Sequence, residues 1–401
     1  MTPYARSPFI AIWETTRACA LACVHCRAEA IPRRDPEELT TGEGKALLER
    51  VAAFGDPPPL VVFTGGDPLR RPDVAELVAY GTRIGLVVSL TPSGTAAATA
   101  EKLGALRDAG LARLAVSVDA ASAEAHDAFR RVRGSHRNTL RIIAHARALG
   151  LPLQINTTVC RQTAGELPAL VEQVERFGAV LWALFFLIPI GRARADHGLG
   201  AEEIETVLRW AADLQPRVPF GIKTTESPQY HRVVGELAHR SAAGAQTWPP
   251  HSPQSVSGLT SRSSPQTWPP HSPQSVSGLT ARSHVWPPRS SLRAPRAVTD
   301  GNGFVFVDHV GNICPSGFLP MRAGNVRQDD LVTVYREHPL FLALRDPARL
   351  GGRCGRCEWR DRCGGSRARA YAASGDPLAG DPGCAYQPAE AVQPAGTRSA
   401  P

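Results

Sequence analysis

From Phe9 to about Glu226 short apolar runs alternate with longer stretches of mixed polarity. The runs at 9–14 ("FIAIWE"), 60–66 ("LVVFTGG"), 86–91, 113–119, 153–159 and 181–191 are rich in Val, Ile, Leu or Phe. That composition predicts strands buried on both faces. Between them, 40–55, 73–85, 96–110, 139–150 and 163–178 read as helices, several ending in the glycine that favours a helix C-terminus. Repeated units of this length predict an α/β fold around a parallel sheet, either barrel-like or doubly wound.

The rhythm stops after Glu226. "QTWPPHSPQSVSGLTSRS" (246–263) recurs almost unchanged at 266–283, a direct repeat with a 20-residue period. Two copies cannot stack into a solenoid core, and the Pro-Pro and Ser-Pro steps defeat helix and central strand. A disordered insertion within a linker over 227–297 is expected. Order is expected to return with a hairpin over 303–317 turning near "HVGN", a helical stretch near 331–345 and a group of cysteines. The expected organisation is a core over 1–226, the linker, a small cysteine-rich unit over 298–388, and a disordered tail over 389–401.

The net charge of +8 over 401 residues invites a nucleic-acid reading. Only Lys45, Lys102 and Lys223 are lysines, however, so the charge is nearly all arginine in a chain also rich in Ala, Gly and Pro. The densest basic segments, 130–137 and 366–370, lack interleaved aromatics for base stacking. A compositional bias is the simpler account, and nucleic acid is not expected as a partner. No run reaches the roughly 18 unbroken apolar residues of a membrane span, and the N-terminus is too polar at its centre for a secretory signal. A cytoplasmic location is the expectation.

Nine cysteines in a reducing compartment point to metal and away from disulfides. Cys19, Cys23 and Cys26 follow the first strand. Taken alone they fit a buried helical face, a zinc site completed by His25, or a Cys23–Cys26 redox pair. Their position adds to this, because loops leaving the carboxyl ends of such strands carry active sites. The next strand exits into "TGGDP" (64–68), where Gly65 and Gly66 permit close backbone approach and Asp67 offers a carboxylate to an ammonium group. Later strand exits supply Ser117 and Asp119, Asn156, and Pro189 through Arg192. A second group, Cys354, Cys357, Cys363 and Cys384, supplies four thiolates, enough for zinc or a closed [4Fe–4S] cluster. Cys160 reads as a buried structural thiol, and the spacing of Cys314 decides nothing.

The C-x3-C-x2-C spacing after the first strand, with GGDP after the second, resembles the radical S-adenosylmethionine (SAM) enzymes. The resemblance implies a partial (β/α)6 TIM-like barrel followed by a small cysteine-rich α+β domain. It implies that Cys19, Cys23 and Cys26 bind three irons of a [4Fe–4S] cluster whose fourth iron is chelated by SAM. Gly65, Gly66 and Asp67 would then meet the methionine amino group, Ser117 and Asp119 its carboxylate or ribose, and Asn156 and Arg192 the adenosine. One electron passed to the sulfonium would release a 5′-deoxyadenosyl radical, with no catalytic side chain assigned beyond the cluster. A reductant such as flavodoxin or ferredoxin would be a partner.

The second cysteine group is similar to SPASM or twitch extensions and looks most like the subgroup that includes the maturases of haem d1 and of the alternative haem pathway. That implies one auxiliary cluster and a small-molecule substrate, a tetrapyrrole. Ser366 stands where that subgroup commonly carries cysteine. A peptide substrate is the second expectation, weakened by the 18 residues before Cys19, and a non-catalytic zinc protein the third.

Overall fold

The protein is described here by a computed structural model covering residues 4–242 and 297–388. The repeat insertion and the tail expected to be disordered lie outside those residues. The chain begins β1 (Ile10–Thr16), α1 (Thr41–Ala52), β2 (Leu60–Gly65), α2 (Val74–Arg83), β3 (Val88–Leu90) and α3 (Ala100–Asp108). It continues β4 (Arg113–Ser117), α4 (Ala123–Arg130), α5 (Ser135–Ala148), β5 (Leu153–Val159), α6 (Leu167–Arg176) and β6 (Leu181–Phe186). Then come α7 (Ala201–Leu214), β7 (Gly221–Thr225) and α8 (Gln229–Ala242). Side chains set several helix starts. Thr40 and Glu43 form a capping box on α1, and the Thr99 and Ser122 hydroxyls cap α3 and α4.

Strands β1 to β7 pair in parallel in sequence order. The sheet is not closed, as a partial barrel requires. One more parallel strand is present than the six expected, because "GIKTT" at β7 carries a glycine and a lysine and lacks an apolar run. Helix α8 likewise occupies the start of the expected linker. Its Arg232 donates to Glu236 at 2.6 Å and pairs with Glu205 of α7.

The strands bury side chains on both faces. Trp13, Phe63, Val88, Val116, Ile155, Trp182 and Ile222 pack outward against Leu47, Leu77, Leu103, Ile142, Leu170 and Leu208 of the helices. Alternate positions face inward and include the polar Glu14, Ser89, Arg113, Ser117, Gln154, Asn156 and Lys223. Period-two alternation puts these two sets on opposite sides of the sheet.

After the undescribed segment come β8 (Phe304–Val307), β9 (Asn312–Cys314) and β10 (Gly324–Asn325). Short helices α9 (Leu331–Glu337), α10 (Pro339–Arg345), α11 (Gly352–Arg356) and α12 (Arg367–Ser374) follow. The expected hairpin is β8–β9, with Phe306 opposite Cys314. It joins the barrel's own sheet, because β8 pairs in parallel with the free edge of β1, Ile10 opposite Phe304.

A buried ionic chain clamps this junction. Glu14 of β1 meets Arg27 at 2.7 Å and His309 Nδ1 at 3.0 Å. Burial alone would lower the His309 pKa, but the Glu14 carboxylate outweighs it and raises the imidazole above its ordinary value. Stability from His309 is therefore full below pH about 6.5 and declines as pH rises through the raised folded value. His309→Gln is expected to cost about 1 to 3 kcal/mol at pH 6. In urea denaturation the gap to wild type should narrow by pH 8; a gap that widens with pH would refute the charged assignment.

Candidate cluster and cofactor site

The loop after β1 is not helical, which removes the reading of its cysteines as one helical face. Three backbone contacts pin it: Cys19 N donates to Ile31 O at 2.8 Å, Val24 N to Phe129 O at 3.1 Å, and Arg192 N to Cys26 O at 3.0 Å. Cys19 and Cys23 are buried and Cys26 half-buried, gathered with Leu21, Ala30 and Val132. Burial pushes the Cys19 and Cys23 thiols up, and the thiols feel one another in turn, Cys19 with Cys23 and Cys23 with Cys26. Such thiols stay protonated until a metal displaces the proton.

His25 does not complete a zinc site. It stacks on Phe129 at 4.3 Å, and burial, then Arg130, brings it down to about 3. Among the described residues no three His, Cys, Asp or Glu side chains are spaced to share one metal ion. Thiolates of a cubane each take a separate iron and need no such convergence.

The glycines of "TGGDP" press the exit of β2 against that of β1. Gly65 has φ +140°, and a Cβ there would lie 2.2 Å from Thr16 O; at Gly66 it would lie 2.5 Å from Arg17 O and Ala18 O. The backbones join through Gly66 N to Thr16 O and Asp67 N to Ala18 O, both 2.7 Å. Asp67 is fully buried, and its oxygens accept from Leu69 N (3.2 Å), Ser93 N (3.3 Å) and Thr95 Oγ1 (2.9 Å). These three donors hold its carboxylate to the loops after β2 and β3. Ser93 was not foreseen: it donates to Gly66 O at 2.7 Å and lies 3.3 Å from Cys19 Sγ.

Asp119 is buried too. It accepts from Arg130 Nε at 2.7 Å and Thr158 N at 2.9 Å. Burial would raise its pKa, but Arg130 and then His25 outweigh that and bring it to about 2. This carboxylate holds Arg130, whose Nη1 reaches Cys23 Sγ at 3.7 Å. Arg130 lies in "RRVRGSHR", read from sequence as compositional bias, so its signal was present but not separable. Arg130→Met should leave Asp119 unpaired at a cost of about 3 to 5 kcal/mol. Urea denaturation should show the loss and partial rescue in Arg130→Met/Asp119→Asn; absence of rescue would contradict the pairing.

Ser117 and Asn156 sit opposite each other on the inner face, and Asn156 Oδ1 accepts from Gln154 Nε2 at 2.7 Å. Arg192 lies beside the loop, with Nη1 3.5 Å from Ala30 O. Among the described residues its Nε and Nη2 are buried without a hydrogen-bond partner, as is His25 Nδ1. Buried unpaired donors are costly. Those beside three thiols suit a ligand bearing acceptor atoms, and the residues present fit a cluster with SAM on it.

In the C-terminal unit, Cys357, Cys363 and Cys384 all feel Cys354. Cys354 Sγ accepts from Asp381 N at 3.3 Å and Arg367 Nη2 at 3.5 Å. A Cβ at Gly365 would sit 2.9 Å from that sulfur. Ser366 is tied by its N to Asp381 Oδ2 and by Oγ to Glu226 Oε2, both 2.7 Å. Cys314 is apart, near Arg27 and Glu14, pushed up to about 12 by burial. Cys160 is buried against Thr163 at 3.4 Å, in keeping with a structural thiol.

Residues 13–174 match the family profile described as Radical SAM superfamily. The chain is 35% identical to the "AdoMet-dependent heme synthase" of Nitratidesulfovibrio vulgaris, covering 94% of this chain and 92% of that one. It is 34% identical to the protein of the same name from Methanosarcina barkeri, over 97% and 99%. Streptococcus suis SuiB bound to S-adenosylmethionine superposes with a TM-score of 0.67 at 13% identity, over 95% of this chain and 78% of that one. That likeness shows the fold alone. The chain belongs to the radical SAM superfamily. It is an enzyme, and its cofactors are a [4Fe–4S] cluster and SAM. No helix among the described residues is long and apolar enough to cross a membrane.

Proposed function

We propose that this enzyme modifies a carboxylate-bearing tetrapyrrole precursor in haem biosynthesis. The observation that carries the reading is the near full-length identity of about one third to proteins named as heme synthases in a bacterium and an archaeon. In this reading Cys19, Cys23 and Cys26 hold the cluster, and Cys354, Cys357, Cys363 and Cys384 hold an auxiliary one. The cluster with SAM supplies a hydrogen-abstracting 5′-deoxyadenosyl radical.

The chain's own residues position and shield. Gly65 and Gly66 keep the β2 exit close enough for backbone atoms to meet the methionine end of SAM. Arg130 donates toward the Cys23 sulfur, and Ser93 Oγ, whose hydrogen goes to Gly66 O, lies against the Cys19 sulfur; such contacts tune cluster potential. Arg192 and His25 offer their spare polar atoms to the nucleoside or carboxylate of SAM. Ser117, Asn156 and the rest of the inner face line the space left for substrate. Asp67 and Asp119 act behind this layer, holding Ser93, Thr95 and Arg130 in place. A flavodoxin or ferredoxin would supply the electron.

The test is anaerobic incubation of the reconstituted protein with dithionite, SAM and an iron porphyrin carrying propionates. The expected result is 5′-deoxyadenosine release that rises with porphyrin, together with a mass change in the porphyrin. Release unaffected by porphyrin, with the porphyrin recovered unchanged, would refute the reading.

A further inference from the structure

Glu226 immediately follows β7, at the same carboxyl end of the sheet as the cysteine loop, and there the C-terminal unit meets the barrel. Its Oε2 accepts from Ser366 Oγ at 2.7 Å, and its backbone O accepts from Arg369 Nη2 at 2.5 Å. Gln229, at the start of α8, donates Nε2 to Asp381 Oδ2 at 2.7 Å. Glu226 holds a left-handed backbone, φ +60°, which is unfavourable for a residue with a Cβ.

The start of α12 gathers a second acid beside it. Ala368 N donates to Asp300 Oδ2 at 3.0 Å, and Asp300 Oδ1 accepts from Ser316 Oγ. Both serine hydroxyls have fixed directions, because Ser366 Oγ accepts from Arg369 N and Ser316 Oγ from Phe318 N. Both oxygens of Asp300 thus accept from fixed donors, whereas Glu226 has one oxygen so engaged. The two carboxyls also hydrogen-bond one another, and a bond between carboxyls needs a proton on one of them.

The charges around the pair lead to the same count. Arg367 and Arg369 of α12 and Asp381 beyond it act on the pair from the C-terminal unit, and α8 adds the neutral Gln229 through Asp381. Arg369 lies 3.1 Å from Asp381, and Arg367 donates to Pro377 O at 3.0 Å and Ala379 O at 2.7 Å. Asp300, Asp381 and both arginines are buried. Two guanidiniums against three carboxyls leave one negative charge in excess unless one carboxyl is protonated, and an excess buried charge is costly. Burial first, and then Asp300, hold Glu226 well above its ordinary value.

We propose that Glu226 is a positioning residue that works in its protonated form, its O–H donating to Asp300 and so seating the C-terminal unit on the barrel. The second cysteine group is seated with it, since Asp381 N donates to Cys354 Sγ at 3.3 Å. Ser366 is part of the same clasp, accepting from Arg369 N while it donates to Glu226. The proposal stands apart from the tetrapyrrole reading. Opening the clasp returns Glu226 to its ordinary value of about 4.3 and releases the proton. The closed clasp is therefore fully favoured below that pH, and opening grows by up to about tenfold per pH unit from there to the raised value.

The experiment uses the full-length, anaerobically reconstituted protein and no substrate. Amide hydrogen exchange of 366–374, corrected for the intrinsic pH dependence of exchange, is followed from pH 6 to pH 8 in wild type and Glu226→Gln. The glutamine amide reproduces the protonated acid, accepting from Ser366 and donating to Asp300. Protection in wild type should fall by about tenfold or more over this range, while that of Glu226→Gln stays level. Infrared difference spectra at pH 6 should show the carbonyl stretch of a protonated carboxylic acid in wild type that Glu226→Gln lacks. Asp300→Asn should lose protection throughout, because its NH2 group then faces the Ser316 hydroxyl or Ala368 N–H.

The same pH dependence in wild type and Glu226→Gln would overturn the proposal. So would a difference spectrum in which Glu226 contributes only ionised carboxylate bands. Asp300→Asn as well protected as wild type would overturn the placing of the proton on Glu226. Should Glu226→Gln not fold, the same pH series on His309→Gln decides, since that variant lacks the other raised group at the junction with the barrel. Protection of 366–374 that stays level there would overturn the proposal.

Discussion

Cys23→Ala is expected to release no detectable 5′-deoxyadenosine from SAM under dithionite. Cys23 is the middle ligand of the proposed site and the most embedded. It is buried, it feels Cys26, and among the described residues it alone of the three receives a guanidinium hydrogen bond, from Arg130. Its loss leaves two thiols, too few to hold three irons, so the cluster dissociates and cleavage ends with it. It also leaves Arg130 facing a void, though Asp119 still neutralises that charge. The fold should therefore survive. Liquid chromatography of the nucleoside product beside a melting curve checks both halves. Retained cleavage, or an unfolded variant, would each contradict part of this account.

Cys357→Ala should separate the two cysteine groups. Iron is expected to fall from about eight to about four per chain, with matching sulfide. SAM cleavage should persist in part while turnover of the porphyrin stops. The other three C-terminal thiols each feel Cys354, and none of the group figures among the charges that act on Cys19 and Cys23. The first cluster can therefore form without the second. Zinc in place of iron and sulfide in the wild type would remove the auxiliary cluster.

The strands from β1 to β6 and the hairpin could be placed from apolar runs because each packs one row of large side chains against helices. β7 could not: its Lys223 and Gly221 face inward, and a five-residue strand with one buried apolar position carries no pattern. The cysteines were legible because their spacing is local, whereas Ser93 and Arg130 reach the same sulfurs from 74 and 107 residues away. Only the folded chain shows such contacts. That Leu69, Ser93 and Thr95 donate to Asp67 is likewise a tertiary fact no motif states.

The central claim is that polypeptide leaves one iron of the first cluster free for SAM. Electron–nuclear double resonance on the dithionite-reduced protein, with SAM labelled with 15N at its amino group, tests it most directly. A nitrogen hyperfine coupling on the cluster signal is the result this account requires. A fully iron-loaded protein that binds SAM and shows no such coupling would contradict it.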